Sequence, residues 1–232
     1  MRHTQHGNYL HKLTKLIGFN NYLVEEEDGL TLIDTNFGDN TADIIAVCQT
    51  IGKPVKRLIV THAHADHAGA VDEFLSAVPD VEFIASERSA SFLAGDMSLK
   101  SGETPSQLNG SYVTVKAVPT STVNDGDMIG SLQVISSSGH TPGHIALLDT
   151  RDQTLIAGDA FVTQASISVS GVFRLLFPFP AMATWNKTVA LESARKLSAL
   201  NPSRLAVGHG VVLENPKTSM EQAIDEASRK FA

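Results

Sequence analysis

Three histidines and one aspartate fall within six positions in the segment Thr61-His62-Ala63-His64-Ala65-Asp66-His67. Imidazole nitrogen and carboxylate oxygen are the ligands that Zn²⁺ and similar borderline divalent cations take. A loop can turn alternate residues toward one point, so His62 and His64 can share one ion. Asp66 and His67 are adjacent and can face a second centre. The cluster directly follows LIVT, residues 58–61, an apolar run of the kind that forms a buried strand. A solvated histidine tract has no need of that placement. Four more candidates are positioned in the same way. His140 and His144 stand in SSGHTPGHIALLD, Asp159 in LIAGDAF and His209 in RLAVGHG. Each lies within a few residues of an apolar run, and strand ends form the rim of a sheet, where ligands can converge. Singly each has a bland reading, Asp159 as a turn or cap residue above all. Jointly they point to a metal site.

Other nucleophiles find little support. There is no G-x-S-x-G, so Gly158-Asp159-Ala160 is not a nucleophile elbow. The one cysteine, Cys48, lies among Ile44, Ile45, Val47 and Ile51 and reads as a buried thiol on a helix face. It cannot form a disulfide within the chain, so nothing marks an oxidising compartment. His3, His6 and His11 are too scattered to read as a metal site.

The elements that must position these residues follow from periodicity. FNNYLVEEE (19–27) and GLTLIDT (29–35) read as a hairpin turned at Glu-Asp-Gly. A helix is predicted from about Thr41 to Ile51, stopped by Gly52 and Pro54, and another from about Ala68 to Val78. VEFIAS (81–86) is a strand, and Ser86 opens a short helix to about 95. Residues 95–111 are rich in Gly, Ser, Pro and Asn and read as a loop. YVTVKAV (112–118), MIGSLQVISS (128–137), HIALLDT (144–150), QTLIAG (153–158) and RLAVGH (204–209) are strand candidates. Helices are expected over 186–200 and about 219–231. Gly139, Gly143 and Gly208 are expected to serve tight turns beside the ligands. No linker stands out, and the strand-and-helix grammar repeats coarsely in the two halves. The pattern suggests one domain over 1–232, with two packed sheets and helices outside, an αββα layering.

With 232 residues and 42% hydrophobic content, the chain can bury a sizeable core. The formal charge of −7 argues against nucleic acid or an anionic membrane surface as partner. No apolar stretch approaches the roughly 18 residues of a spanning helix. The N-terminus lacks the pattern of a signal peptide, so a cytoplasmic protein, monomeric or homodimeric, is the expectation.

The motifs T-H-A-H-A-D-H-A-G (61–69), G-H-T-P-G-H (139–144), G-D (158–159), G-H-G (208–210) and the early L-I-D-T (32–35) together resemble the metallo-β-lactamase superfamily over nearly the whole chain. The resemblance implies a four-layer αββα sandwich with its site on one edge. It implies His62, His64 and His140 as ligands of one metal, and Asp66, His67 and His209 as ligands of a second. Asp159 is implied as the carboxylate bridging both. Asp34 and His144 resemble supporting residues behind the ligands, although His144 can also be read as a ligand in place of His140. Two divalent ions, zinc first and manganese or iron otherwise, about 3.5–4 Å apart would activate water near neutral pH and polarise a carbonyl. Asp66 is the candidate for proton shuttling.

The fold alone does not choose a substrate. The resemblance implies a metallo-hydrolase acting on an ester, lactone or thioester carbonyl of a small molecule. Alternatives are an acyl-homoserine lactonase, a glyoxalase II-like thioesterase, a weak β-lactamase, a phosphodiesterase or a non-catalytic binding protein. The lactonase pattern places a tyrosine three residues after the bridging aspartate, where this chain has Val162. The segment 160–185, AFVTQASISVSGVFRLLFPFPAMATW, reads either as core or dimer contact, or as an apolar lid over the site. In the second reading Phe161, Val162 and Phe177 line the wall, Arg174 meets a substrate carboxylate, and loop 95–111 forms the opposite side.

Overall fold

Short apolar runs separated by polar turns set the first third of the chain into strands, and apolar runs with helical spacing close the crossovers between them. The computed structural model describes residues 1–232. It divides into two units: Met1–Asp96 with Ser111–Val123, and Met97–Gly110 with Asn124–Ala232.

The first unit comprises β1 (Arg2–His6), β2 (Leu10–Lys15), β3 (Phe19–Glu25), β4 (Leu30–Ile33), α1 (Thr41–Ile51), β5 (Val55–Val60), α2 (Ala65–Ala68), α3 (Val71–Ala77), β6 (Glu82–Ser86), α4 (Glu87–Leu93) and β7 (Ser121–Val123). The seven strands form one sheet in sequence order. β1 to β4 are antiparallel, and β4 to β7 run parallel. Leu58, Ile59 and Val60 of β5 are fully buried, as the unbroken apolar run of a central parallel strand should be. Ile33 pairs with Ile59, so the chain leaves β4 and β5 at the same sheet edge, with Asp34 after one strand and Thr61 after the other.

Three sequence expectations change here. The hairpin β1–β2 was not read from the sequence. β1 is a polar edge strand, and β2 buries His11, Lys12 and Thr14, which hides its alternation. Burial pushes the Lys12 ammonium down to about 8. The helix expected over 68–78 is two helices, because the Ala70 amide donates to Thr35 Oγ1 at 3.2 Å instead of continuing the helical ladder. YVTVKAV is not a strand. The amides of Lys116 and Ala117 donate to the Asp72 carboxylate at 2.8 and 2.9 Å, and that of Val115 to the Leu93 carbonyl at 2.9 Å. Ser86 caps α4 as expected, accepting from the Ser89 amide at 3.0 Å. Cys48 lies buried on α1, and burial pushes its thiol up to about 11.

The second unit comprises β8 (Met128–Ile129), β9 (Leu132–Ser136), β10 (Ile145–Asp149), β11 (Thr154–Ile156), β12 (Phe161–Val162), β13 (Ser168–Val169), α5 (Phe179–Ala183), α6 (Lys187–Ala199), β14 (Arg204–Ala206), β15 (Leu213–Glu214) and α7 (Lys217–Lys230). Six strands form a sheet in the order β15-β14-β11-β10-β9-β8, and β12 pairs with β13. Leu191, Ala194 and Leu197 of α6 and Met220, Ala223 and Ala227 of α7 pack with Leu148, Leu155, Leu205 and Val207 in one core. Ile156 pairs in parallel with Ala206, so Asp159 and His209 follow strands that end at the same edge. The β9–β10 turn, which carries His140 and His144, lies at that edge too, since β10 is antiparallel to β11. The strand expected over 128–137 is split by a turn at Gly130, and β12, β13 and α5 were not anticipated.

Candidate metal centre

In the first unit, the turn after β5 presents His62, His64 and His67, all buried, and Asp66, whose side chain is 25% exposed. The His62 ring lies 4.8 Å from that of His64 and 4.0 Å from that of His67, centre to centre. Asp34 holds this cluster from behind. Its Oδ1 accepts from the Thr61 amide at 2.7 Å, and its Oδ2 accepts from Thr61 Oγ1 at 2.8 Å and from His67 Nδ1 at 2.7 Å. A carboxylate can only accept from Nδ1, so His67 carries its proton there and keeps the Nε2 lone pair for a metal. The same argument reaches His62. The Thr61 hydroxyl proton is committed to Asp34, so Thr61 Oγ1 accepts from His62 Nδ1, 3.1 Å away. The His67 carbonyl in turn accepts from the Thr35 amide at 2.7 Å. Asp34 adopts a left-handed backbone, φ +61°, a conformation that Asp tolerates better than most residues.

The second unit contributes His140, Asp159 and His209, each 2% exposed. Asp159 Oδ2 lies 3.0 Å from His209 Nε2 and 3.5 Å from His140 Nε2. One carboxylate oxygen therefore faces two imidazole nitrogens. His140 Nδ1 is 2.8 Å from Ser170 Oγ, Ser170 Oγ is 3.1 Å from Thr184 Oγ1, and Thr184 Oγ1 donates to the Pro180 carbonyl at 2.7 Å. That carbonyl can only accept, so the chain of hydrogen bonds has one direction: Nδ1–H to Ser170, Ser170 to Thr184, Thr184 to Pro180. His140 is left with a lone pair on Nε2, the nitrogen facing Asp159. His144 Nε2 accepts from the Asp159 amide at 3.0 Å, which makes its Nδ1 the donor to Ser137 Oγ at 2.8 Å. Both ring nitrogens of His144 are thus spent on shaping the Asp159 turn.

Backbone packing fixes the His140 turn. The Trp185 amide donates to the His140 carbonyl and the Asn186 amide to the Gly139 carbonyl, each at 2.9 Å. Gly139 has φ +136°, and a Cβ there would sit 2.3 Å from the backbone of Ala190 on α6. Beside His209 the glycine needed for its conformation is Gly210, φ +115°, rather than the Gly208 expected from the sequence.

The expected substrate wall is only partly where the sequence put it. Phe161 and Val162 are buried, and Phe161 belongs to the core under α6 and α7, where the alternation of β12 places it. Arg174 is not free for a substrate carboxylate. Its Nη1 and Nη2 donate to Glu226 at 2.7 and 2.6 Å, and Nη2 also donates to the Ile167 carbonyl at 2.9 Å. Phe177 does stand beside a candidate ligand, its ring centre 5.2 Å from that of His209. From the 95–111 loop, Asn109 donates to the Thr184 carbonyl at 3.4 Å. Ser170 and Thr184 were missed by sequence reasoning. The one available signal was the run of alternating serines Ser166, Ser168 and Ser170 next to the apolar Val172 and Phe173, where a buried hydroxyl needs a partner.

Imidazoles, several of them oriented by a hydrogen bond at Nδ1, together with carboxylates, are a donor set suited to Zn²⁺, Fe²⁺ or Mn²⁺. The comparisons agree with that chemistry. The family model described as the metallo-beta-lactamase superfamily matches residues 18–209. This chain belongs to the metallo-β-lactamase superfamily. Its architecture is the four-layer αββα sandwich of that family. With the histidine and aspartate donors in place, it is a metallo-hydrolase. The chain is 43% identical over 215 residues to "Uncharacterized protein YobT" of Bacillus subtilis (strain 168), covering 92% of each chain. It is 29% identical over 226 residues to "Probable metallo-hydrolase YflN" of the same organism, covering 87% of this chain and 84% of the relative. Among solved structures it resembles that of TTHA1623 "in a di-iron-bound form", with 26% identity, a TM-score of 0.64 and coverage of 89% of this chain and 94% of that one. No helix is long and apolar enough to cross a membrane.

Proposed function

We propose that residues 1–232 act as one catalytic domain in which the two donor sets hold two divalent metal ions, and that it hydrolyses an ester, lactone or thioester of a small molecule. The observation that carries this reading is Asp159, whose Oδ2 faces His209 and His140 at 3.0 and 3.5 Å in the manner of a bridging carboxylate. The clustering within each unit supports it: the rings of His62, His64 and His67 lie together on one turn, and His140 and His209 share one oxygen of Asp159. In this assignment His62, His64 and His140 hold one ion, Asp66, His67 and His209 the other, and Asp159 both. Zinc is the first candidate. The di-iron form of the TTHA1623 relative keeps iron in view, and manganese has the same ligand preferences. When bound, two such ions lower the pKa of water and polarise a carbonyl oxygen.

The protein's own residues do the rest. Asp34 and the Ser170–Thr184 chain hold their imidazoles in the ligating tautomer, so no reorganisation is needed on binding. Asp66 is the donor carboxylate most open to solvent, and accepts the proton of the attacking water and returns it to the leaving oxygen or sulfur. Phe177 excludes water beside His209. The raised pKa of the Cys48 thiol removes it as a competing nucleophile.

The test loads the purified protein with zinc, manganese or iron, measures metal per chain, and screens esters, thioesters, lactones, β-lactams and phosphodiesters in parallel. About two ions per chain and turnover confined to acyl substrates are expected. Full activity of metal-free protein would sink this reading, and cleavage of phosphodiesters alone would move the substrate class.

A further inference from the structure

Residues 173–182 form an apolar strap on the second unit. Phe173, Leu175, Leu176, Phe179 and Met182 are all exposed, Leu175 and Leu176 at 83% and 85%. Scattered exposed apolar residues are ordinary, but five within ten positions make a patch. Two observations separate it from a merely sticky surface. It is fastened to candidate metal ligands at its middle and just past its C-terminal end. Phe177 packs on the His209 ring and makes an edge contact with Phe179 at 5.6 Å. Just beyond the strap, Thr184 belongs to the hydrogen-bond chain behind His140, and the Trp185 amide holds the His140 carbonyl. It also offers no free charge. Arg174 is the sole ionisable residue between 160 and 185, and Glu226 engages both of its terminal nitrogens.

We infer that this strap is the recognition wall for an aliphatic or aryl group attached to the carbonyl that is hydrolysed. The inference rests on the hydrolase reading above and names its substrate class: neutral, apolar acyl compounds, in preference to those with a phosphate or a polycarboxylate arm. Such an arm would find no cation on the strap. A second copy of the chain is the less suitable occupant, because protein seated over Phe177 would block approach to the adjacent His209 ring.

The experiment uses the full-length, metal-loaded protein and p-nitrophenyl esters from acetyl to octanoyl. In the wild type, kcat/KM should climb about twofold per added methylene, a partial share of the gain for full burial. Leu175→Ser/Leu176→Ser should flatten that slope. Leu16→Ser/Ile17→Ser, which removes two exposed apolar residues from the first unit, should keep it. Turnover of the acetyl ester with a flat slope in the wild type would overturn the inference, as would a slope that survives the strap substitutions. So would a strap variant that loses a dimer in sedimentation while keeping the slope. Absence of turnover with every ester, acetyl included, would instead remove simple esters from the proposed function, and binding then decides the strap alone. Trp185 is the single tryptophan and lies just beyond the strap. Its emission should respond to n-octanol at about tenfold lower concentration than to n-butanol, and the strap variant should lose that preference. Equal response to both alcohols in the wild type rejects the wall.

Discussion

His67 and His140 each lean Nδ1 on a buried partner, at 2.7 and 2.8 Å, but the partners differ in charge. His67 has the Asp34 carboxylate, which also takes two bonds from Thr61. His140 has a file of neutral hydroxyls that ends on a backbone carbonyl. Both arrangements fix the tautomer. Only the carboxylate also makes its imidazole a stronger electron donor and compensates a positive charge bound at Nε2. On the proposed assignment, Asp34 would therefore add charge compensation behind His67, where the hydroxyl file behind His140 would add orientation alone.

Removing the carboxylate should do the most damage. Asp34→Ala leaves the Thr61 and His67 donors without their acceptor, and metal affinity should fall about 100-fold, the upper end for a supporting residue. Metal titration against a chromophoric chelator measures it. Ser170→Ala should weaken binding about tenfold, with activity recovering when metal is added in excess. Equal losses in the two variants would break the comparison. Thr184→Val keeps the volume and removes only the second hydroxyl, so about a threefold loss is expected in the same titration, with Ser170 still accepting from His140.

Away from the ligands, the pairing of Arg174 with Glu226 gives a smaller effect that appears as stability against pH. Hydrogen bonding to Arg174 pulls the Glu226 carboxyl down to about 2. Its contribution is complete above the ordinary glutamate value of about 4.3 and is lost as pH falls through 2. Glu226→Gln should therefore be less stable than wild type by about 1 kcal/mol at pH 7. The two should converge in chemical denaturation as the medium approaches pH 2. Least affected of all is Cys48. It should resist thiol reagents at pH 8 in the folded protein, since burial holds its pKa near 11, and react once the chain is unfolded.

The difference between the two supports also explains what could be read in advance. His62, His64, Asp66 and His67 are close in sequence, and chelating residue types at short spacing follow a buried strand. Asp34 was legible only through the resemblance of L-I-D-T (32–35) to the superfamily's motif. The strands β4, β5, β11 and β14 were legible as apolar runs, but their parallel pairing was seen only in the structure. Ser170 and Thr184 were not legible, because their partner lies 30 and 44 positions away and a hydroxyl in a loop has many uses. The β1–β2 hairpin was hidden because His11 and Thr14 are buried with polar partners: His11 Nε2 lies 2.9 Å from Glu25, and Thr14 donates to Asn20 at 3.0 Å. Arg174 was misjudged because a lone cation in an apolar stretch says nothing of a glutamate 52 residues further on.

The hydrogen-bond file behind His140 ends on Pro180, a residue of α5 inside the apolar strap. Mutations that reshape that strap to suit a new compound will move the carbonyl on which a ligand's tautomer depends. In this lineage, shifts in what is cleaved and shifts in how well the ions are kept should be inherited together. Variants selected for altered substrate range should then show a changed appetite for metal as a by-product, even when every ligand is intact.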